Sequence, residues 1–374
     1  MSAVVLDIFV TAQVTTINRD YRSASAPQGQ TKSEGKRMKI DSGLMGTADL
    51  ARIPEQARAL EGQGYDGIVT AEMAHDPFLP LVLAAEHTER LELMTSIAVA
   101  FARNPMTVAN LANDLQAFSK GRFILGLGSQ IKPHITKRFS QPWSQPAARM
   151  REFVLAMRAI WDCWYTGEKL NFRGDFYSHT LMTPMFTPTN NPHGAPKVVV
   201  AAVGPKMTEV AGEVADGMLI HAFTTEKYLR EVTLPGIEAG LAKSGRARAA
   251  LELCYPPFIV TGKDEREWEA MRTGIAKQLA FYGSTPAYRG VLDLHGWGEL
   301  QTELNRLSKR GEWDAMGERV TDEILEEFAV VAEPSKVAGA LKSRFGGLVD
   351  RMLCTFSFAG EEDRSAYMEE LRAQ

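Results

Sequence analysis

Eight short apolar strands, each followed by a helical pattern, predict an α/β fold whose parallel strands close into a (β/α)8 TIM barrel. Two further observations support closure. The strands are apolar along their whole length, as strands buried on both faces are, and they alternate strictly with 3.6-residue periodicity. An open doubly wound sheet with a small second domain is the alternative arrangement of the same units.

The first strand is "MKIDSGL", residues 38–44. Pro54 then sits in the first turn of a helix with Ala57 and Leu60 on one face, and Gly62 and Gly64 stop it. "DGIVTAEM" is the second strand and "LPLVLAAEHTE" its helix. "RLELMTSIAVA" is the third strand; Pro105 opens the next helix, with Val108, Leu111, Leu115 and Phe118 in register up to Gly121. "RFILGLGS" is the fourth strand, followed by a helix over 147–165 and a Pro- and aromatic-rich excursion over 168–196. "KVVVAAV", "GMLIHAF" and "LELCYPPFIV" are strands five to seven. Residues 264–345 read as mostly helical with a loop-like interior, and "LVDRMLCTFSF" is the last strand before a C-terminal helix. The loop-like part, 281–300, is aromatic with glycine punctuation and reads as a lid or a packed excursion.

Residues 1–37 stand apart. "NRDYRSASAPQGQTKSEGKR" is polar and rich in Ser, Gln, Gly and Lys, so this stretch reads as a disordered extension and 38–374 as the barrel domain. The opening "MSAVVLDIFVTAQVTTI" lacks a basic start and is interrupted by Asp7, which argues against a signal peptide. No stretch approaches the ~18 apolar residues of a membrane span. A net charge of −4 gives no electrostatic reason to expect nucleic acid. Three scattered cysteines suit a reducing, cytoplasmic setting better than a disulfide framework.

In such a barrel the chemistry belongs at the C-terminal strand ends. Those ends carry no carboxylate pair for glycoside hydrolysis and no buried lysine for a Schiff base. The seven histidines are scattered, and no G-x-S-x-G elbow is present. Small residues and backbone occupy the ends instead: Thr95-Ser96, Gly126, Gly128-Ser129 and Gly204. Such a mouth suits a flat cofactor that brings its own chemistry, or a ligand that is bound without turnover. In "FILGLGSQI" the third glycine of a dinucleotide fingerprint is replaced by Ile131. "GPKMTEVAGE" is a better anion seat. Gly204 lets a ligand approach, Pro205 presets the helix start, and the N–H groups through Met207 with the Lys206 ammonium would hold a phosphate. Lys132, Lys137 and Arg138 add cations after the fourth strand. Glu72 and His75 follow the second strand as candidate acid–base groups, with Asp76 as a capping alternative, and His221 ends the sixth.

The stretches "GYDGIVTAEMAHDPF", "RLELMTSIAVAFARNP", "SKGRFILGLGSQ", "ARMREFVLAMRAIW" with "GEKLNFRGDFY", and "VVVAAVGPKMTEVAGEVADG" together resemble the luciferase-like monooxygenase superfamily, in particular its coenzyme F420-dependent oxidoreductases. The resemblance implies a bacterial luciferase-like barrel with insertions. Its flavin-like ring would lie against a bulge at Ser96-Ile97, a cis peptide in many members, with Gly128-Ser129 beside it. Gly204, Pro205, Lys206 and Met207 would lie at the cofactor phosphate. The expected cofactor is F420, with FMN as the alternative; the expected partner is a small organic substrate, and the family commonly forms homodimers. Hydride transfer is then the leading activity, oxygen insertion the FMN alternative, and a non-catalytic ligand-binding barrel a further one. The sequence departs from the sugar-phosphate dehydrogenases of the superfamily. Met73 stands where they have a histidine, and Ile131-Lys132 where they have a glutamate, so hexose phosphate oxidation is not implied.

Overall fold

The computed structural model describes residues 37–44, 49–189, 191–356 and 358–373, all within one compact unit. The expected extension, apart from Arg37, lies outside the described residues. Eight parallel strands form the barrel: β1 Lys39–Gly43, β2 Gly67–Thr70, β3 Glu92–Thr95, β4 Phe123–Gly128, β5 Lys197–Ala202, β6 Gly217–Ile220, β7 Glu252–Tyr255 and β8 Arg351–Leu353. They pair in the order β3-β2-β1-β8-β7-β6-β5-β4, and the pairing of Leu93 with Phe123 joins β3 to β4 and closes the ring. Register is fixed at, for example, Asp41 opposite Gly67 and Lys39 opposite Arg351.

The fully apolar strands follow from burial on two sides. Ile40, Ile68, Leu93, Leu125, Val198 and Leu253 point outward into the layer beneath the helices. Val69, Met94, Ile124, Val199, Leu219 and Cys254 fill the barrel itself. The helices start where prolines place them, at Ile53–Gly62, Pro105–Phe118, Pro146–Thr166 and Pro205–Val214. Asn104 caps the second of these, its Oδ1 accepting the Thr107 N–H at 3.0 Å. No helix among the described residues is long and apolar enough to cross a membrane.

Three readings of the sequence change. The third strand is interrupted after Thr95 by a cis Ser96-Ile97 peptide and resumes as Ala98–Val99. The seventh is broken at Pro256-Pro257, which cannot donate to a ladder. Its continuation Phe258–Val260 leaves the barrel and pairs in parallel with Ala329–Val331. The aromatic stretch 281–300 is helical rather than a loop, contributing the end of Glu265–Gly283, Pro286–Tyr288, Arg289–Leu294 and the start of Gly298–Arg310. It packs into a second apolar core with Phe223, Phe258, Leu292, Leu304 and Phe328. The excursion 168–196 carries a small antiparallel hairpin, with Phe172 opposite His179.

Candidate functional site

At the C-terminal end of the strands a cavity of about 870 Å³ opens. That volume lies within the range of small-molecule and cofactor pockets. Ser96, Ile97, Gly128, Ser129, Gly204, Met207 and His221, all singled out from the sequence, line it together. Lys206 and Pro205 are exposed on the same helix start.

One wall is the bulge after β3. The cis Ser96-Ile97 peptide is held from both sides: the Ser96 N–H donates to the Thr70 carbonyl at 2.6 Å, and the Ile97 carbonyl accepts the Glu72 N–H at 3.1 Å. Thr95 Oγ1 donates to the Gly126 carbonyl at 2.7 Å and accepts the Gly126 N–H at 2.9 Å. This close approach explains two glycines in β4. A Cβ at position 126 would stand 1.8 Å from the Thr95 carbonyl oxygen, and one at 128 would stand 2.8 Å from the Ile97 side chain. The result is a flat apolar ledge.

Glu72 belongs to this ledge and not to the cavity lining. Its Oε2 accepts the Val99 N–H at 2.7 Å and pairs with Arg103 at 2.6 Å, leaving the side chain 8% exposed. Arg103 in turn lies over the Phe78 ring and near Asp76. Asp76 caps the helix Leu79–His87, accepting the Phe78 and Leu79 N–H groups. His75 is exposed and does not line the cavity. The two residues expected to handle protons are therefore not brought to the mouth.

The opposite part of the rim is the start of the helix Pro205–Val214. Its N-cap Gly204 is extended and offers no side-chain cap, and a Cβ there would meet nothing within 4 Å. The cradle is smaller than the sequence suggests. The Met207 N–H already donates to the Gly204 carbonyl at 3.1 Å, and Pro205 has no N–H to offer. The N–H groups of Gly204 and Lys206 have no acceptor among the described residues. Lys206, Lys132 and Lys137 are exposed and form no ion pair with another described residue. Arg138 donates to the Met73 carbonyl and stacks on Phe139. Among the described residues, the two open N–H groups and the unpaired Lys206 share one helix start, and Lys132 lines the same cavity as Gly204.

The third arc is aromatic. His221, at the end of β6, stacks on Tyr288 with ring centroids 4.6 Å apart and meets Tyr282 edge-on at 4.7 Å. Burial pushes its pKa down to about 4, so the ring is neutral at pH 7. Its Nδ1 accepts the Phe223 N–H at 3.0 Å, and its Nε2 lies 3.3 Å from the Tyr288 hydroxyl. Burial raises the Tyr288 pKa to about 12. Tyr282, Tyr288, Trp143 and Pro256-Pro257 were not singled out from the sequence as site residues. The aromatic character of 281–300 and the Pro-Pro break in strand seven were the signals that could have found four of the five.

The family model for luciferase-like monooxygenases matches residues 26–351. The chain belongs to that family. An uncharacterized protein of Mycobacterium tuberculosis is 56% identical over 337 residues, 90% of this chain and 98% of that protein. A 5,10-methylenetetrahydromethanopterin reductase of Archaeoglobus fulgidus is 28% identical over 69% of this chain and 74% of its own length. Among solved structures, the coenzyme F420-dependent tetrahydromethanopterin reductase of Methanopyrus kandleri superposes with a TM-score of 0.70. It is 18% identical, over 90% of this chain and 98% of that one. The oxygenating constituent of 3,6-diketocamphane monooxygenase from Pseudomonas putida, in complex with FMN, superposes at 0.56 with 16% identity, over 90% and 96%. At these identities the two structures show the shared barrel. Oxidoreductases using either cofactor thus occur around this luciferase-like fold.

Proposed function

We propose that this luciferase-like protein is an oxidoreductase that binds coenzyme F420 at the barrel mouth and exchanges hydride between it and a small organic substrate. The observation that carries the reading is the pairing, in one cavity, of a flat ledge at Ser96-Ile97 with an uncapped helix start at Gly204. The residues present suit a ring cofactor with a phosphate. The space in front of Gly204 is open, its N–H and that of Lys206 lack acceptors, and the ledge is kept flat by Gly126 and Gly128.

When bound, the cofactor supplies the two-electron chemistry that the strand ends lack. The protein's own groups bind and orient. Ser96, Ile97, Gly128 and Ser129 form the surface for the ring; Gly204 and Lys206 hold the phosphate. Lys132, Lys137 and Arg138 offer positive charge to an acidic cofactor tail, and this favours F420 over FMN, as do two sequence relatives named for F420, a putative coenzyme F420-dependent oxidoreductase of Mycobacterium tuberculosis and an F420-dependent glucose-6-phosphate dehydrogenase of Intrasporangium calvum. Glu72 holds the ledge through Val99 and Arg103 and is a positioning residue.

The test is anaerobic incubation of the protein with reduced F420 and a panel of neutral and anionic carbonyl compounds and alkenes, following the return of oxidised F420. Substrate-dependent oxidation supports the reading. Turnover obtained only with reduced FMN in air would replace it with oxygen insertion, and F420 bound without any turnover would leave a binding barrel.

A further inference from the structure

Resting on the reading of the mouth as an oxidoreductase site, the aromatic arc has chemistry of its own. His221 can carry only one ring proton at neutral pH, because its pKa is pushed down to about 4. Nδ1 accepts the Phe223 N–H, so the proton sits on Nε2. If Nε2 also accepted, the ring would have no proton at all. Nε2 therefore donates to the Tyr288 hydroxyl oxygen at 3.3 Å. The Tyr288 proton has no acceptor among the described residues and is left to point into the cavity that Tyr288 lines. Tyr282 repeats the pattern more weakly, its hydroxyl accepting from the Gln278 amide at 3.2 Å. This arc thus offers protons and no anion.

The surrounding wall restricts what can meet that donor. Ile131, Trp143, Met207, Phe258 and Leu353 are apolar, and among the described residues no Asp or Glu lines the cavity. The cations stand at the ends of β4 and β5, whereas His221 and the helical insert bearing Tyr288 follow β6 and β7. Lys132, after β4, is the one cation among the described lining residues, and Arg289 beside Tyr288 is taken up by Asp293, so a phosphate or carboxylate on the aromatic arc would have no free countercharge next to it.

We propose that the Tyr288 hydroxyl, oriented by His221, is the hydrogen-bond donor that seats the carbonyl oxygen of a neutral, largely apolar substrate. A carbonyl needs a donor and offers none, which matches a wall whose hydroxyls present protons. Tyr288 touches the substrate; His221 acts through it.

The probe is trans-4-phenyl-3-buten-2-one, a neutral enone whose absorption moves to longer wavelength when its carbonyl accepts a hydrogen bond. It is titrated into the full chain without cofactor. The expected result is saturable binding with a red shift that glucose 6-phosphate does not displace. In Tyr288→Phe the shift is lost and affinity falls about tenfold. His221→Gln keeps an N–H donor toward Tyr288 and retains the shift, whereas His221→Leu reduces it. An unchanged shift and affinity in Tyr288→Phe, no binding of the enone to the native chain, or its displacement by glucose 6-phosphate would overturn the assignment. F420 is titrated into the same samples separately. Its failure to bind would overturn the F420 reading of the mouth, while the enone shift still decides the role of Tyr288.

Discussion

The two ends of the barrel interior handle charge in opposite ways. At the N-terminal end, the first residues of β1, β3, β5 and β7 are Lys39, Glu92, Lys197 and Glu252, alternating in sign. Lys39 pairs with Glu92 at 2.7 Å and Lys197 with Glu252 at 3.3 Å. Arg351, 1% exposed at the start of β8, bridges Asp41 at 3.1 Å and also pairs with Glu92. Gly67 makes room for this cluster, since a Cβ there would stand 2.6 Å from Asp41 Oδ1. At the mouth, by contrast, Lys132, Lys137 and Lys206 form no ion pair among the described residues, and the walls are largely apolar with no described carboxylate. Charges matched inside the protein serve the fold; charges left open at a pocket serve a ligand.

The comparison breaks most sharply at Arg351. Arg351→Met leaves the buried Asp41 without its closest countercharge, while Glu92 keeps Lys39, and a loss of about 3–5 kcal/mol is expected in urea unfolding. A loss below about 1 kcal/mol would mean that the lower cluster is not what holds that end.

A pH series sharpens the same point. Burial raises the Asp41 pKa to about 6, above its unfolded value, even though Arg351 pulls it down. The folded state then binds the proton more tightly, so this group's contribution is complete below about pH 4 and disappears as pH rises through 6. The stability of the native chain relative to Asp41→Asn should fall by on the order of 3 kcal/mol between pH 4 and 7. A flat difference across that window would contradict the burial argument.

Gly126 tests the boundary between the two ends. Gly126→Ala pushes a methyl into the Thr95 carbonyl, so a loss of about 1–3 kcal/mol is expected. Because the Ser96-Ile97 ledge moves with Thr95, cofactor affinity should fall with it. Unchanged affinity in a destabilised variant would separate the ledge from the ligand.

Much of this was legible before any coordinates. Eight apolar runs with helical spacers predicted the barrel, and seven of the nine cofactor-binding candidates line one cavity. Strand positions are readable from period and punctuation, but their C-terminal ends are not, since the third and seventh runs read straight through the breaks at Ser96 and Pro256. Side-chain direction at those ends is not readable. Glu72 follows the second strand as expected, yet it turns to Val99 and Arg103, partners 27 and 31 residues away. Met207 was counted as an open donor because a helix start has free N–H groups on average, whereas here a tight first turn uses that one. Tyr288 arrives at His221 from 67 residues downstream, on an insert broken into the short helical pieces Pro286–Tyr288 and Arg289–Leu294. The rim charges were visible as residues, but their lack of partners is a property of the folded chain.

The most direct test of the central claim is a fluorescence titration of the native chain and of Gly204→Val with oxidised F420 and, separately, with FMN. The account predicts saturable F420 binding that is lost in Gly204→Val, with thermal stability unchanged because nothing lies within 4 Å of the added Cβ. Equal F420 binding by the two proteins would remove the phosphate from Gly204, and binding of neither cofactor by the native chain would contradict the account.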